Sequence, residues 1–101
     1  MNQPKRPSVH VLKCWPEYFA KIWDGEKPFE IRKNDRDYRV GDILDIREWL
    51  PQIENFTGRG LRKIVSYMTD FQQQPGFVVM GLKDIDMSPT TVDLESRQPA
   101  T

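Results

Sequence analysis

A lysine, a glutamate and an arginine fall close together in the run Gly25-Glu26-Lys27-Pro28-Phe29-Glu30-Ile31-Arg32. Lys27 and Arg32 are suited to holding phosphate oxygens, and Glu30 to orienting a base or a neighbouring side chain. In an enzyme, Lys27 would stabilise developing negative charge or act as a base, and Glu30 would move a proton. An ordinary Glu–Arg pair on a solvated strand face would have the same spacing. Phe29 and Ile31 alternate with Glu30 and Arg32, which is strand period two, so Glu30 and Arg32 share a face. Lys27 would face the other way in a regular strand. Pro28 makes an irregular strand entry plausible, and that lets Lys27 rejoin the other two.

Two further groups carry charge and aromatics. In Asn34-Asp35-Arg36-Asp37-Tyr38-Arg39, Arg36 and Arg39 are candidate phosphate contacts and Tyr38 a candidate stacking ring. Asn34 and Asp35 read more simply as turn residues. The other group is Trp49, Thr57, Gly58, Arg59, Gly60, Arg62 and Lys63. Glycines flanking Arg59 let a backbone approach a ligand, and the nearby cations attract anions. Glu48 shares a strand face with Leu44 and Ile46, so it is either a barrel-mouth carboxylate able to partner Lys27 or a sign of an incompletely buried face. His10, the one histidine, reads as a strand residue, and Cys14 as a small buried side chain. Trp15 and Trp23 read as core. Tyr67 is either core or a stacking platform.

The elements that must position these residues are legible from punctuation. Residues 10–14 are a short apolar-rich strand. Pro16 suits a first helical position, Glu17 a first turn, and Gly25 a helix stop. Tyr18, Phe19, Ile22 and Trp23 form one stripe, which predicts an amphipathic helix over 16–24. Strands follow at 27–33 and 43–49, and Leu50–Gly60 reads as a long loop with Pro51, Gly58 and Gly60. Further strands are expected over 61–69 and 77–82. The order β-α-β-β-β-β predicts an α+β fold, a small mixed β-barrel with one early helix, whose closure would remove exposed strand edges. Residues 1–8 read as a flexible arm, 9–86 as the domain, and 87–101, rich in Ser, Thr and Pro, as a disordered tail.

Composition narrows the classes. The 15 Lys and Arg balance 15 Asp and Glu, so the formal net charge is zero, which argues against a non-specific basic coat on DNA. Residues 1–63 carry a net +3 and residues 64–101 a net −3, and acids such as Asp84, Asp86, Asp93 and Glu95 give the second part its sign. Aromatics at 11% argue against disorder over the whole chain. No apolar run is long enough to span a membrane, and the N-terminal charges are not followed by a signal-type apolar region. With one cysteine and one histidine, no zinc-ligand spacing exists, and neither a phosphate loop nor a dinucleotide fingerprint is present. A cytoplasmic monomer with no metal and no cofactor is expected.

The run GEKPFEIR resembles the GxKxxExR signature of ASCH domains, which share the PUA-like β-barrel fold. Residues 10–49 (HVLKCWPEYFAKIWDGEKPFEIRKNDRDYRVGDILDIREW), then FTGR and FVVMGL, are similar to a small bacterial and phage branch of that superfamily, DUF3850. The resemblance implies a barrel whose cleft is lined by Lys27, Glu30 and Arg32, and a role in binding RNA or modified nucleosides. Arg36, Arg39, Trp49 and Arg59 are the candidate rim contacts. Some ASCH proteins are amidohydrolases acting on a modified cytidine, with a threonine proposed as nucleophile three positions after the signature lysine. Glu30 stands there in this chain, and a carboxylate serves as a general base rather than as a hydroxyl nucleophile. Others resemble ribonucleases. The expectation is therefore a binding module for RNA or a nucleoside. The alternatives are a hydrolase or ribonuclease using Lys27 and Glu30 in the same cleft, and a small protein-interaction adaptor.

Overall fold

The computed structural model describes residues 6–85. Strand β1 (Val9–Cys14) leads into helix α1 (Pro16–Trp23), followed by β2 (Phe29–Lys33), β3 (Ile43–Leu50), β4 (Asn55–Thr69) and β5 (Phe77–Asp84). All five strands form one mixed sheet in the order β1-β3-β4-β5-β2. β1 runs parallel to β3, with Leu12 opposite Ile46 and Cys14 opposite Glu48. The other pairings are antiparallel.

The sheet curls into a half-barrel rather than a barrel closed by backbone pairing, since β1 and β2 stand at opposite ends of the strand order. Arginine side chains span the seam between these edges. Arg32 NH2 donates to the Lys13 carbonyl at 2.8 Å, and Arg36 donates to the Val11 carbonyl. Two β1 carbonyls without a strand partner on that side are thereby satisfied, as backbone acceptors near a core must be.

Helix α1 closes the concave face. Trp15, in extended conformation (φ −66°, ψ 151°), accepts the Phe19 N–H at 2.8 Å, and Pro16 begins the helix. Glu17 and Lys21 sit at the ends where the helix dipole favours their charges. Phe19 and Ile22 are fully buried against Leu12, Leu44, Ile46, Val65 and Met80. The outer members of the predicted stripe behave differently. Tyr18 and Trp23 are about half exposed, and so is Trp15, which corrects the expectation that both tryptophans are core. An eight-residue helix over a curved sheet has room for one buried row only.

The stretch expected as a long loop is mostly strand. A turn occupies 51–54, and β4 starts at Asn55, pairing Asn55 with Leu50 and Phe56 with Trp49. Pro51 and the glycines suggested a loop, but a register irregularity between Arg47 and Trp49, with Gly58 at φ +99°, lets the strand continue. Gly41 at φ +96° makes the turn into β3, and a Cβ there would meet no atom within 4 Å. Gly41→Ala is therefore expected to cost only backbone strain, about 1–2 kcal/mol, read as a lower urea midpoint with an unchanged slope. Among the described residues, no helix is long and apolar enough to cross a membrane. Residues 1–5 of the expected arm and all of the expected tail lie outside the described residues.

Candidate functional site

Lys27, Glu30 and Arg32 come together as the irregular strand entry requires. The Lys27 N–H donates back to the Lys21 carbonyl at 3.0 Å, and Pro28 accepts the Leu82 N–H at 3.0 Å before β2 begins. This detour brings the Lys27 ammonium to Glu30 Oε1 at 3.0 Å. Arg32 Nε donates to Glu30 Oε2 at 2.6 Å. The carboxylate is 4% exposed, and each oxygen takes one cation. Lys27 also stands 5.1 Å from the Phe29 ring centroid and 5.8 Å from that of Tyr18, so two π faces help to hold it. Among the described residues, Arg32 NH1 has no partner.

These residues line an open cleft of about 450 Å³ along the seam, together with Cys14, Trp15 and Tyr18. Lys13 and Lys33 also line it, so the cleft carries four cationic residues and one buried carboxylate. The arrangement suits an anion that carries a flat ring.

The family model described as a domain of unknown function, DUF3850, matches residues 9–82. The chain belongs to the DUF3850 family. The matched region takes in the whole cleft and α1 and stops inside β5. One relative is the "uncharacterized 12.9 kDa protein in GpA 3′ region" of Escherichia phage P2, 37% identical over 62 residues. That alignment covers 61% of this chain and 55% of the relative, so the chain spans about half the length of the protein it matches.

The other predicted site residues scatter over the DUF3850 domain. Arg36 is occupied at the β1 seam. Arg39 pairs with exposed Asp37 at 3.1 Å, and that pairing, opposed by some loss of solvation, holds the Asp37 carboxyl below its usual range. Tyr38 is buried, edge-on to His10 with centroids 4.7 Å apart, so it is a packing residue and not a stacking surface. Trp49 adjoins the cleft through Lys13, whose ammonium lies 4.0 Å from its ring centroid, and Phe56 packs on it at 4.9 Å. Arg59 lies on the other flank of α1, 5.0 Å from Trp23 and 5.2 Å from Phe19, and it lines a separate depression with Phe56 and Gly60. Glu48 is buried and accepts the Thr57 hydroxyl at 2.8 Å, with Arg59 at 3.8 Å. The carboxylate that Lys27 pairs with is Glu30. Arg62 joins Arg47 on buried Asp45, and Lys63 pairs with Asp84. Tyr67 is exposed.

Cys14 lies at the floor of the cleft. Burial, and then the Glu30 charge, push its thiol up to about 11. At pH 8 only about a thousandth of it is then thiolate, the reactive form. Alkylation by iodoacetamide at pH 8 is expected to run about a hundredfold slower than with a free cysteine peptide, and to recover in urea. An equal rate in the folded protein would contradict this. Among the described residues, no three His, Cys, Asp or Glu side chains are grouped to hold a metal ion.

Sequence reasoning missed Asp42. It is 1% exposed and accepts from Arg6 NH1 at 2.7 Å, His10 Nε2 at 2.9 Å, the Ser8 N–H at 3.0 Å and the Arg39 N–H at 3.1 Å. Burial opposes its ionisation, but these donors outweigh it and hold the carboxyl below the ordinary range. In the sequence, Gly41-Asp42 between two strands carries only a turn signal. A hint was available in the lone histidine, since a polar ring in an apolar strand calls for a buried partner.

Proposed function

We propose that this DUF3850 domain is a PUA-like module of the ASCH type that binds RNA, or one splayed modified nucleoside, in the seam cleft. The observation that carries the reading is the buried Glu30 fixing Lys27 and Arg32 beside exposed aromatic rings. Lys27 and the NH1 of Arg32, unpartnered among the described residues, would take phosphate oxygens. Tyr18 or Trp15 would stack on a base, the usual way proteins hold unpaired nucleotides. Glu30 serves as a positioning residue, because both of its oxygens are engaged.

That engagement favours binding over catalysis. To act as a general base, Glu30 would have to release a cation, and Cys14 is held as a thiol. An amide-resolved NMR titration with a short mixed-sequence RNA, then with modified nucleosides, tests the reading. Shifts at 27–32 and at Tyr18 are expected. Two phosphate contacts give a shallow slope of about −1.4 in log K against log salt. New ligand signals appearing with time would mean an enzyme. No shifts with any ligand would sink the reading and favour the adaptor.

A further inference from the structure

The three tryptophans differ in their surroundings. Trp23 packs on Phe19 and under Arg59. Trp49 packs on Phe56 and under Lys13. Trp15 is 50% exposed, and among the described residues its ring has neither an aromatic nor a cationic partner. Its backbone is nevertheless fixed, because its carbonyl starts α1 by accepting the Tyr18 and Phe19 N–H groups at 3.0 and 2.8 Å, and Pro16 follows. A large apolar ring, half exposed on a rigid mount and with no aromatic or cationic partner among the described residues, is a platform in want of a ligand.

Trp15 also belongs to two cavities. On one side is the cationic cleft of Lys27, Glu30 and Arg32. On the other is a cavity of about 660 Å³ formed with Pro16, Glu17, Leu50, Pro51 and Gln52. Among the described residues, no cation lines the second cavity. Its walls are apolar, with one carboxylate and one side-chain amide to meet hydrogen-bonding edges. A phosphate would be repelled there, whereas a neutral base, flat and edged with donors and acceptors, suits it.

We propose that the second cavity receives the base of an adjoining nucleotide, with Trp15 between it and the nucleotide in the cleft. The ligand is then single-stranded RNA of at least two nucleotides rather than a lone nucleoside. This rests on the cleft binding a nucleotide and specifies which class of ligand it takes. The two chambers divide the work: the cleft neutralises phosphate, and the second cavity adds a stacked, uncharged contact.

The test compares the four nucleoside 5′-monophosphates with the four 5′-phosphorylated homodinucleotides, titrated into the full chain by calorimetry. The tightest dinucleotide is expected to bind about tenfold or more tighter than its monophosphate, the scale of one base on one aromatic ring. Leu50→Glu changes only the second cavity, so it should erase that advantage and leave monophosphate affinity unchanged. Trp15→Ala should weaken both ligands and Trp15→Phe should recover much of the loss, with thermal melts confirming that each variant folds. Equal affinity for the two ligands in the wild type, or an advantage that survives Leu50→Glu, overturns the two-chamber inference. Monophosphate binding that is lost in Lys27→Ala would leave the cleft reading standing in that case. Failure of every ligand to bind overturns both.

Discussion

Asp42→Ala is expected to lower the unfolding free energy by about 3–5 kcal/mol, the usual cost of removing one partner from a buried ionic network. The side chain is almost fully enclosed and serves four donors, two of them the backbone N–H groups of Ser8 and Arg39. It pins the approach to β1, through Ser8 and His10, to the turn that begins β3. In a domain this small the loss corresponds to a fall in Tm of about 12 °C or more. Asp42→Asn should fall between, since it keeps an acceptor for part of the network but turns an NH2 group toward donors. The pH dependence has a definite sign. The folded carboxyl lies below its ordinary value of 3.8, so its stabilisation is complete above that value and is lost as pH falls through the lower folded value. Urea unfolding at pH 7, 5 and 3 should show wild-type stability dropping between the last two points, with a smaller drop in Asp42→Ala. A difference under 1 kcal/mol at pH 7 would refute the role given to Asp42.

The second expectation separates positioning from simple charge. Glu30→Ala makes the cleft more positive, so Coulomb attraction alone predicts tighter RNA binding. If Glu30 aims Lys27 and Arg32, its removal frees both cations, and affinity should fall by about tenfold, the scale of one hydrogen bond to a charged group. Glu30→Gln, which keeps the shape and one acceptor oxygen, should recover part of the loss. Lys27→Ala and Arg32→Ala should each cost about tenfold to a hundredfold. Filter binding or anisotropy at two salt concentrations gives all four values. Tighter binding by Glu30→Ala would show that the cations need no anchor.

What could be read in the sequence followed the range of each interaction. The element order and the meeting of Lys27 with Glu30 and Arg32 depend on residues within a few positions, where period, Pro28 and Gly25 are informative. Arg36 illustrates the opposite case. Its guanidinium reaches the Val11 carbonyl, 25 residues away, and nothing local distinguishes a seam clasp from a phosphate contact. The same holds for Arg59, whose aromatic partners lie on α1, and for Asp42, which reaches back to Arg6, Ser8 and His10. Residues 50–60 were misread because proline and glycine signal a break even where a strand absorbs them through an irregular register. The tryptophans failed for a geometric reason. A helical stripe shows which side faces inward but not how wide the buried row is.

The clasped seam also sets where the molecule breathes. Hydrogen exchange samples partial openings that cost less than global unfolding. β1 is paired to β3 along one edge, but on its other edge it is held by guanidinium donors that can swing away without breaking a strand ladder. β3, β4 and β5 are flanked on both sides, so the slowest exchange is expected there. The outer amides of β1 and β2 should therefore lose protection first. Arg32 is both the latch on β1 and a wall of the cleft, so a ligand that draws its guanidinium away from Lys13 would loosen β1, and one that leaves that contact intact would tighten it. The direction of the change in β1 exchange would show which group on Arg32 the ligand has taken.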